Sequence, residues 1–113
     1  MSNSATGTFT IANGGVDFRG KIDNDANPDN LGKVVYFVGE YLPQQRDQDP
    51  LSGSTLTYDN INDLRGSIKF TGSYGTDKVT LNLGKNSFIT STNFKNPVAG
   101  VTPISGTGNG SVS

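Results

Sequence analysis

Apolar and polar residues alternate with a period of two along most of the chain, the spacing of strands with one face in a core. Thr8-Phe9-Thr10-Ile11 alternates and stops at Asn13-Gly14-Gly15, a strong turn signal. Val16, Phe18, Gly20 and Ile22 then share one face, with Asp17, Arg19 and Lys21 on the other, so the two segments read as a hairpin. The most apolar stretch runs from Lys33 to Leu42. Val34, Tyr36, Val38 and Leu42 line one of its faces, and Val35, Phe37 and Tyr41 the other. A strand apolar on both faces is central to its sheet or meets a partner.

A polar, Pro-bounded stretch from Pro43 to Ser54 is the longest candidate loop. Shorter strands are expected at Thr55–Tyr58, at Ser67–Thr71 with Ile68 and Phe70 inward, at Lys78–Leu83 with Val79, Leu81 and Leu83 inward, and at Ser87–Asn93. Val98–Ile104, with Pro97 and Pro103, suits a last edge strand. The Gly-rich end reads as a flexible tail or the start of a linker, giving a domain over residues 1–104 and a tail over 105–113. Helical spacing is absent and no fixed repeat occurs. The expectation is all-β: a single antiparallel β-sandwich or small β-barrel of about seven or eight short strands.

Length and composition support this and narrow the chemistry. The 113 residues fit one domain. A formal charge of −1, with nine Lys and Arg dispersed from Arg19 to Lys95, offers no basic patch for nucleic acid. No run approaches a membrane-spanning helix. The chain has no Cys and no His, which removes disulfides, thiolate chemistry and Ser–His–Asp catalysis. Abundant Thr, Ser, Asn and Gly, with one Glu, point to a secreted, cell-surface or particle-surface protein. Met1-Ser2-Asn3-Ser4 has neither the basic nor the apolar region of a leader.

Two loops are candidate metal sites. Asp23, Asp25, Asn27 and Asp29 place oxygens on every second position, a common way to surround calcium. They match the first four ligand positions of an EF-hand loop, but Pro28 stands where Gly makes the turn and Val34 where a Glu closes the shell, so an EF-hand is excluded. The alternative is a turn built from good turn formers. The second loop is Asn62-Asp63-Leu64-Arg65-Gly66-Ser67, leading into Ile68-Lys69-Phe70. It resembles the calcium-binding signature of βγ-crystallin-type Greek-key domains. The resemblance implies a Greek-key sandwich with Asn62, Asp63 and Ser67 near a calcium ion. Gly66 stands where that signature has a hydroxyl, and only one copy of it is present.

Glu40 shares the face of Val34, Tyr36, Val38 and Leu42. Buried, it could catalyse a Lys–Asn cross-link; at the strand's end it is solvated or ion-paired. No paired acid and base stands out, and the expectation is a non-enzyme. Two roles fit. One is a binding module for a glycan or protein surface, in which Tyr41, Tyr58 and Tyr74 stack on a ligand. The other is a structural or assembly subunit (pilus, phage decoration or matrix protein), a homo-oligomer packed through the two-sided strand.

Overall fold

The computed structural model describes residues 3–92, 94 and 97–113. Eight antiparallel strands close into a barrel: β1 (Asn3–Ala12), β2 (Gly15–Asn24), β3 (Val34–Leu42), β4 (Gln48–Tyr58), β5 (Gly66–Thr76), β6 (Val79–Gly84), β7 (Ser87–Ser91) and β8 (Val98–Val112). Around the barrel they run β1-β2-β3-β8-β5-β6-β7-β4 and back to β1. Between the alternatives of sandwich and barrel, the sheet closes. Two short 3-10 turns, Pro28–Asn30 and Ile61–Leu64, are the helical elements among the described residues. No helix there is long and apolar enough to cross a membrane.

Alternation sets which side chains fill the interior. Phe9 and Ile11 of β1, Val16, Phe18 and Ile22 of β2, and Val35, Phe37 and Tyr41 of β3 all point inward and are buried. Leu51, Leu56 and Tyr58 of β4, Ile68, Phe70 and Tyr74 of β5, Val79, Leu81 and Leu83 of β6, Ile89 of β7 and Ile104 of β8 are buried with them. An eight-stranded barrel is about wide enough for side chains alone to fill it. Phe37 and Phe70 meet edge to face at 5.7 Å between ring centres, an arrangement that suits the ring quadrupoles.

Two expectations are corrected. Residues 105–113 are not a flexible tail. Residues 105–112 form the end of β8, paired with β3 from Leu42↔Ser105 to Val35↔Val112 and with β5 from Thr71↔Ser105 to Gly66↔Gly110. The physical reason is close packing. A Cβ on Gly106 would lie 2.9 Å from the Phe70 ring and clash with the Glu40 carbonyl; one on Gly108 would lie 2.8 Å from the Phe37 ring. Glycine here makes room for neighbouring aromatic rings rather than flexibility. Upstream, Val98–Ile104 pairs with β5 alone, and Pro103 sits in that one-sided stretch, where a missing N–H is tolerated.

The loop expected over Pro43–Ser54 is also shorter, because β4 starts at Gln48. Gln48 is buried and donates to the Tyr74 hydroxyl at 2.8 Å, so a polar residue holds an inward position by finding a buried partner. In the strand expected over Ser87–Asn93, β7 ends at Ser91, and Asn93 lies outside the described residues.

Candidate binding surface

The hairpin β1–β2 and the closing strand β8 hold β3 from both sides, so its outer face is presented on a rigid wall. Alternation turns Val34, Tyr36, Val38, Glu40 and Leu42 outward. Tyr36 is 37% exposed, Val38 42% and Leu42 73%, an apolar row along a single strand. Single exposed apolar residues are ordinary on any protein; three on one face of one strand, with Glu40 set between Val38 and Leu42, are less so. The other large exposed apolar residues, Leu31, Phe88 and Val101, are scattered on other elements.

Three grooves open beside this row. One of about 430 Å³ is lined by Asn13, Glu40, Leu42, Gln44 and Thr107. A second of about 400 Å³ lies against Asp17, Arg19, Val34, Tyr36 and Ser111. A third of about 250 Å³ runs over Thr10, Ala12, Asp17 and Val38. The Tyr36 hydroxyl donates to Asp17 at 3.0 Å, which ties the end of the ring to β2. That bond, helped by the Asp17 charge, raises the phenol above its ordinary pKa. Register with β2 sets Lys21 beside Val34 and Arg19 beside Tyr36, while Glu40 lies opposite Gly15. The face is therefore basic beside Val34 and Tyr36 and acidic at Asp17, beside Val38, and at Glu40, with Leu42 beyond.

Glu40 is exposed and is the sole carboxylate in its groove's lining. The apolar environment that a cross-linking carboxylate needs is not built around it.

The three tyrosines expected to stack on a ligand are corrected. Tyr41 is 3% exposed, Tyr58 0% and Tyr74 1%, so their rings are core, not a platform. All three hold inward positions on their strands and reach the barrel ends, where each hydroxyl finds a partner. Tyr58 donates to Asp25 at 2.5 Å, Tyr74 to the Arg46 carbonyl at 2.6 Å, and Tyr41 accepts from the Gln45 amide at 3.1 Å. Burial, then the hydrogen bond to Asp25, holds the Tyr58 phenol far above its ordinary range. Burial likewise raises Tyr41. The exposed tyrosine is Tyr36, on the face of β3 opposite to Tyr41.

The side-chain oxygens of Asp23, Asp25 and Asn27 take separate partners within the protein. Asp23 accepts from Ser4 at 2.9 Å and from Thr6 at 2.7 Å, tying the end of β2 to β1. Asp25 accepts from the Asn27 amide at 2.8 Å as well as from Tyr58, and Asn27 accepts from the Asp29 amide at 3.1 Å, capping the first 3-10 turn. These are the side-chain-to-backbone turns that Asx residues favour. Among the described residues, no group of three or more acidic side chains is placed to hold a metal ion.

The same bonds make a pH prediction. Thr6, then Ser4, lowers the Asp23 pKa from the ordinary 3.8. For Asp25, burial pushes upward but is outweighed by hydrogen bonds from Tyr58, the Asn27 amide and Asn30, with help from the Lys33 charge. A carboxyl depressed on folding stabilises above its unfolded pKa, and that stability is lost as pH falls through the folded value. Thr6→Val should therefore lower the melting temperature at about pH 7 and converge on the wild type by about pH 2. Melting curves across that range check this, and a gap that stays constant with pH would contradict it.

Asn62, Asp63 and Ser67 line a separate notch between β5 and the β6–β7 turn, in company with Arg65, Lys69 and Lys85. Asp63 lies 3.7 Å from the Lys85 ammonium. Asn60, not Asn62, caps the second 3-10 turn, accepting from the Asn62 amide at 2.9 Å. The gathering of three cations here has no counterpart in the linear order of the chain. Compared with known protein families, curated proteins and solved structures, the chain matches none.

Proposed function

We propose that the protein is a non-enzymatic binding module, secreted or displayed on a cell or particle surface, that meets a protein partner along the outer face of β3. The observation that carries this is the exposed row Tyr36, Val38 and Leu42 on one strand. Protein is favoured over glycan because three of the four tyrosines are buried, which leaves Tyr36 as the one aromatic ring on this face; Phe88, the other exposed ring, lies on β7. The complementary partner has apolar groups facing Tyr36, Val38 and Leu42, an acid facing Arg19 and a base facing Glu40.

A second reading, an assembly subunit packed copy against copy, draws on the same row. Its acidic and basic parts would meet in two copies related by a two-fold axis lying across the strand. Calcium has no part in either reading.

The test compares the wild type with a Tyr36→Ser/Val38→Lys/Leu42→Ser variant on arrays of extracellular proteins and of glycans. Protein signals that the variant loses by about tenfold or more, with its melting temperature retained, are expected. Signals equal in both chains, or confined to glycans, would overturn the reading. Sedimentation of the wild type as a dimer and the variant as a monomer would select the assembly role.

A further inference from the structure

The loop that suggests cation ligands in the sequence sits in a cationic seam in the folded chain. The β5–β6 ladder starts only at Thr71↔Asn82, while β5 extends upstream to Gly66, paired on its other side with β8. The β6–β7 turn therefore diverges from β5 and leaves an opening. Two hollows of about 190 Å³ lie along it, and Lys69 borders both. Each is several times the roughly 30 Å³ share of a water molecule.

Arg65 enters from the end of the second 3-10 turn, Lys69 from the outer face of β5, and Lys85 from the β6–β7 turn. Three of the chain's nine Lys and Arg thus border one notch in a protein of net charge −1. The notch lining contains one carboxylate, Asp63, 3.7 Å from Lys85. Arg65 and Lys69 have no ion-pair partner among the described residues. Like charges held together without a full set of counter-charges attract an anion. The available donors are a guanidinium fork, two ammoniums, the Ser67 hydroxyl and the Asn62 amide, a set suited to several oxygens around one centre.

We propose that this seam binds a tetrahedral oxyanion, a sulfate or phosphate group, held by Arg65, Lys69 and Lys85 with Ser67 donating. Asp63 is its internal competitor: it engages Lys85 and repels the incoming anion. The proposal is independent of the β3 surface.

The sign of one substitution separates the two electrostatic readings. Asp63→Asn removes the competitor, so affinity for inorganic sulfate and inorganic phosphate should rise by roughly threefold to fivefold, the range of an exposed charge pair. Lys69→Gln and Arg65→Gln should each weaken binding by a similar factor. The readout is amide chemical-shift titration of the full chain at fixed ionic strength, followed at residues 62–69 and 84–86. Glucose 6-phosphate and glucose 6-sulfate should shift these amides while glucose leaves them still; the stronger of the two names the group.

Shifts that chloride reproduces, glucose shifts as large as those of its esters, or an Asp63→Asn variant that binds no better would overturn the proposal. So would calcium shifting the same amides in the wild type but not in Asp63→Asn. The substituted side chains are at the surface or half-buried, and melting curves of each variant establish that the fold is intact.

Discussion

Deleting residues 105–113 should abolish the cooperative unfolding transition of this protein. All eight register pairs between β3 and β8, and six of those between β5 and β8, lie within residues 105–112. Without them the barrel cannot close, and β3 and β5 are left with bare edges. Phe37, Phe70 and Ile68, which pack against Gly108, Gly106 and Gly110, lose one wall of their enclosure. Each ladder hydrogen bond contributes about 0.5–1.5 kcal/mol net, and a whole domain is stable by only about 5–15 kcal/mol. Losing most of a strand's bonds on both sides, with the core cover beside them, exceeds that margin. Exposed edges beside apolar rings then favour aggregation. The measurement is a thermal melt followed by near-ultraviolet circular dichroism, with dye binding as a second probe. A truncated chain that melts like the full one would return these residues to the status of a tail.

Gly106→Ala should cost about 3 kcal/mol or more, at the upper end of what overpacking does. The added Cβ meets two obstacles at once, the Phe70 ring at 2.9 Å and the Glu40 main-chain carbonyl of β3. The ring can shift; the carbonyl belongs to the ladder and cannot without breaking it. For a domain near 100 residues this is a fall in melting temperature of about 12 °C or more. Thr107→Val is the control: it changes the next residue, which faces outward and is exposed, and should stay within about 0.5 kcal/mol. Phe70→Leu added to Gly106→Ala should recover only part of the loss, since it relieves the ring and leaves the carbonyl. A melting temperature for Gly106→Ala within a few degrees of the wild type would show that β3 and β8 do not approach as closely as described.

Of the candidate sites, the pieces are visible in the chain and their meeting is not. Parity places Tyr36, Val38 and Leu42 on one face of β3 and Tyr41 on the other. It does not say which face looks inward, because both are apolar. The buried tyrosines are ambiguous for a related reason: phenol rings suit a core when the hydroxyl finds a partner, and Asp25 and the Arg46 carbonyl are that partner for Tyr58 and Tyr74. Likewise Asp23 looks like a metal ligand until Ser4 and Thr6, nearly twenty residues away, satisfy both its oxygens.

What the sequence determines by itself is local. Two-residue alternation and turn chemistry specify strands, the β1–β2 hairpin and the absence of long helices, since each depends on neighbours a few positions apart. Tertiary structure alone decides the rest. Barrel closure turns Gly106-Thr107-Gly108-Asn109-Gly110 from an apparent linker into a strand, because the volume those glycines lack is filled by Phe37, Phe70 and Ile68 and by neighbouring main-chain carbonyls. The divergence of β6 from β5 brings Arg65, Lys69 and Lys85 to one seam. Both outcomes depend on contacts between distant parts of the chain, where side-chain volume and charge from one strand set the meaning of residues on another.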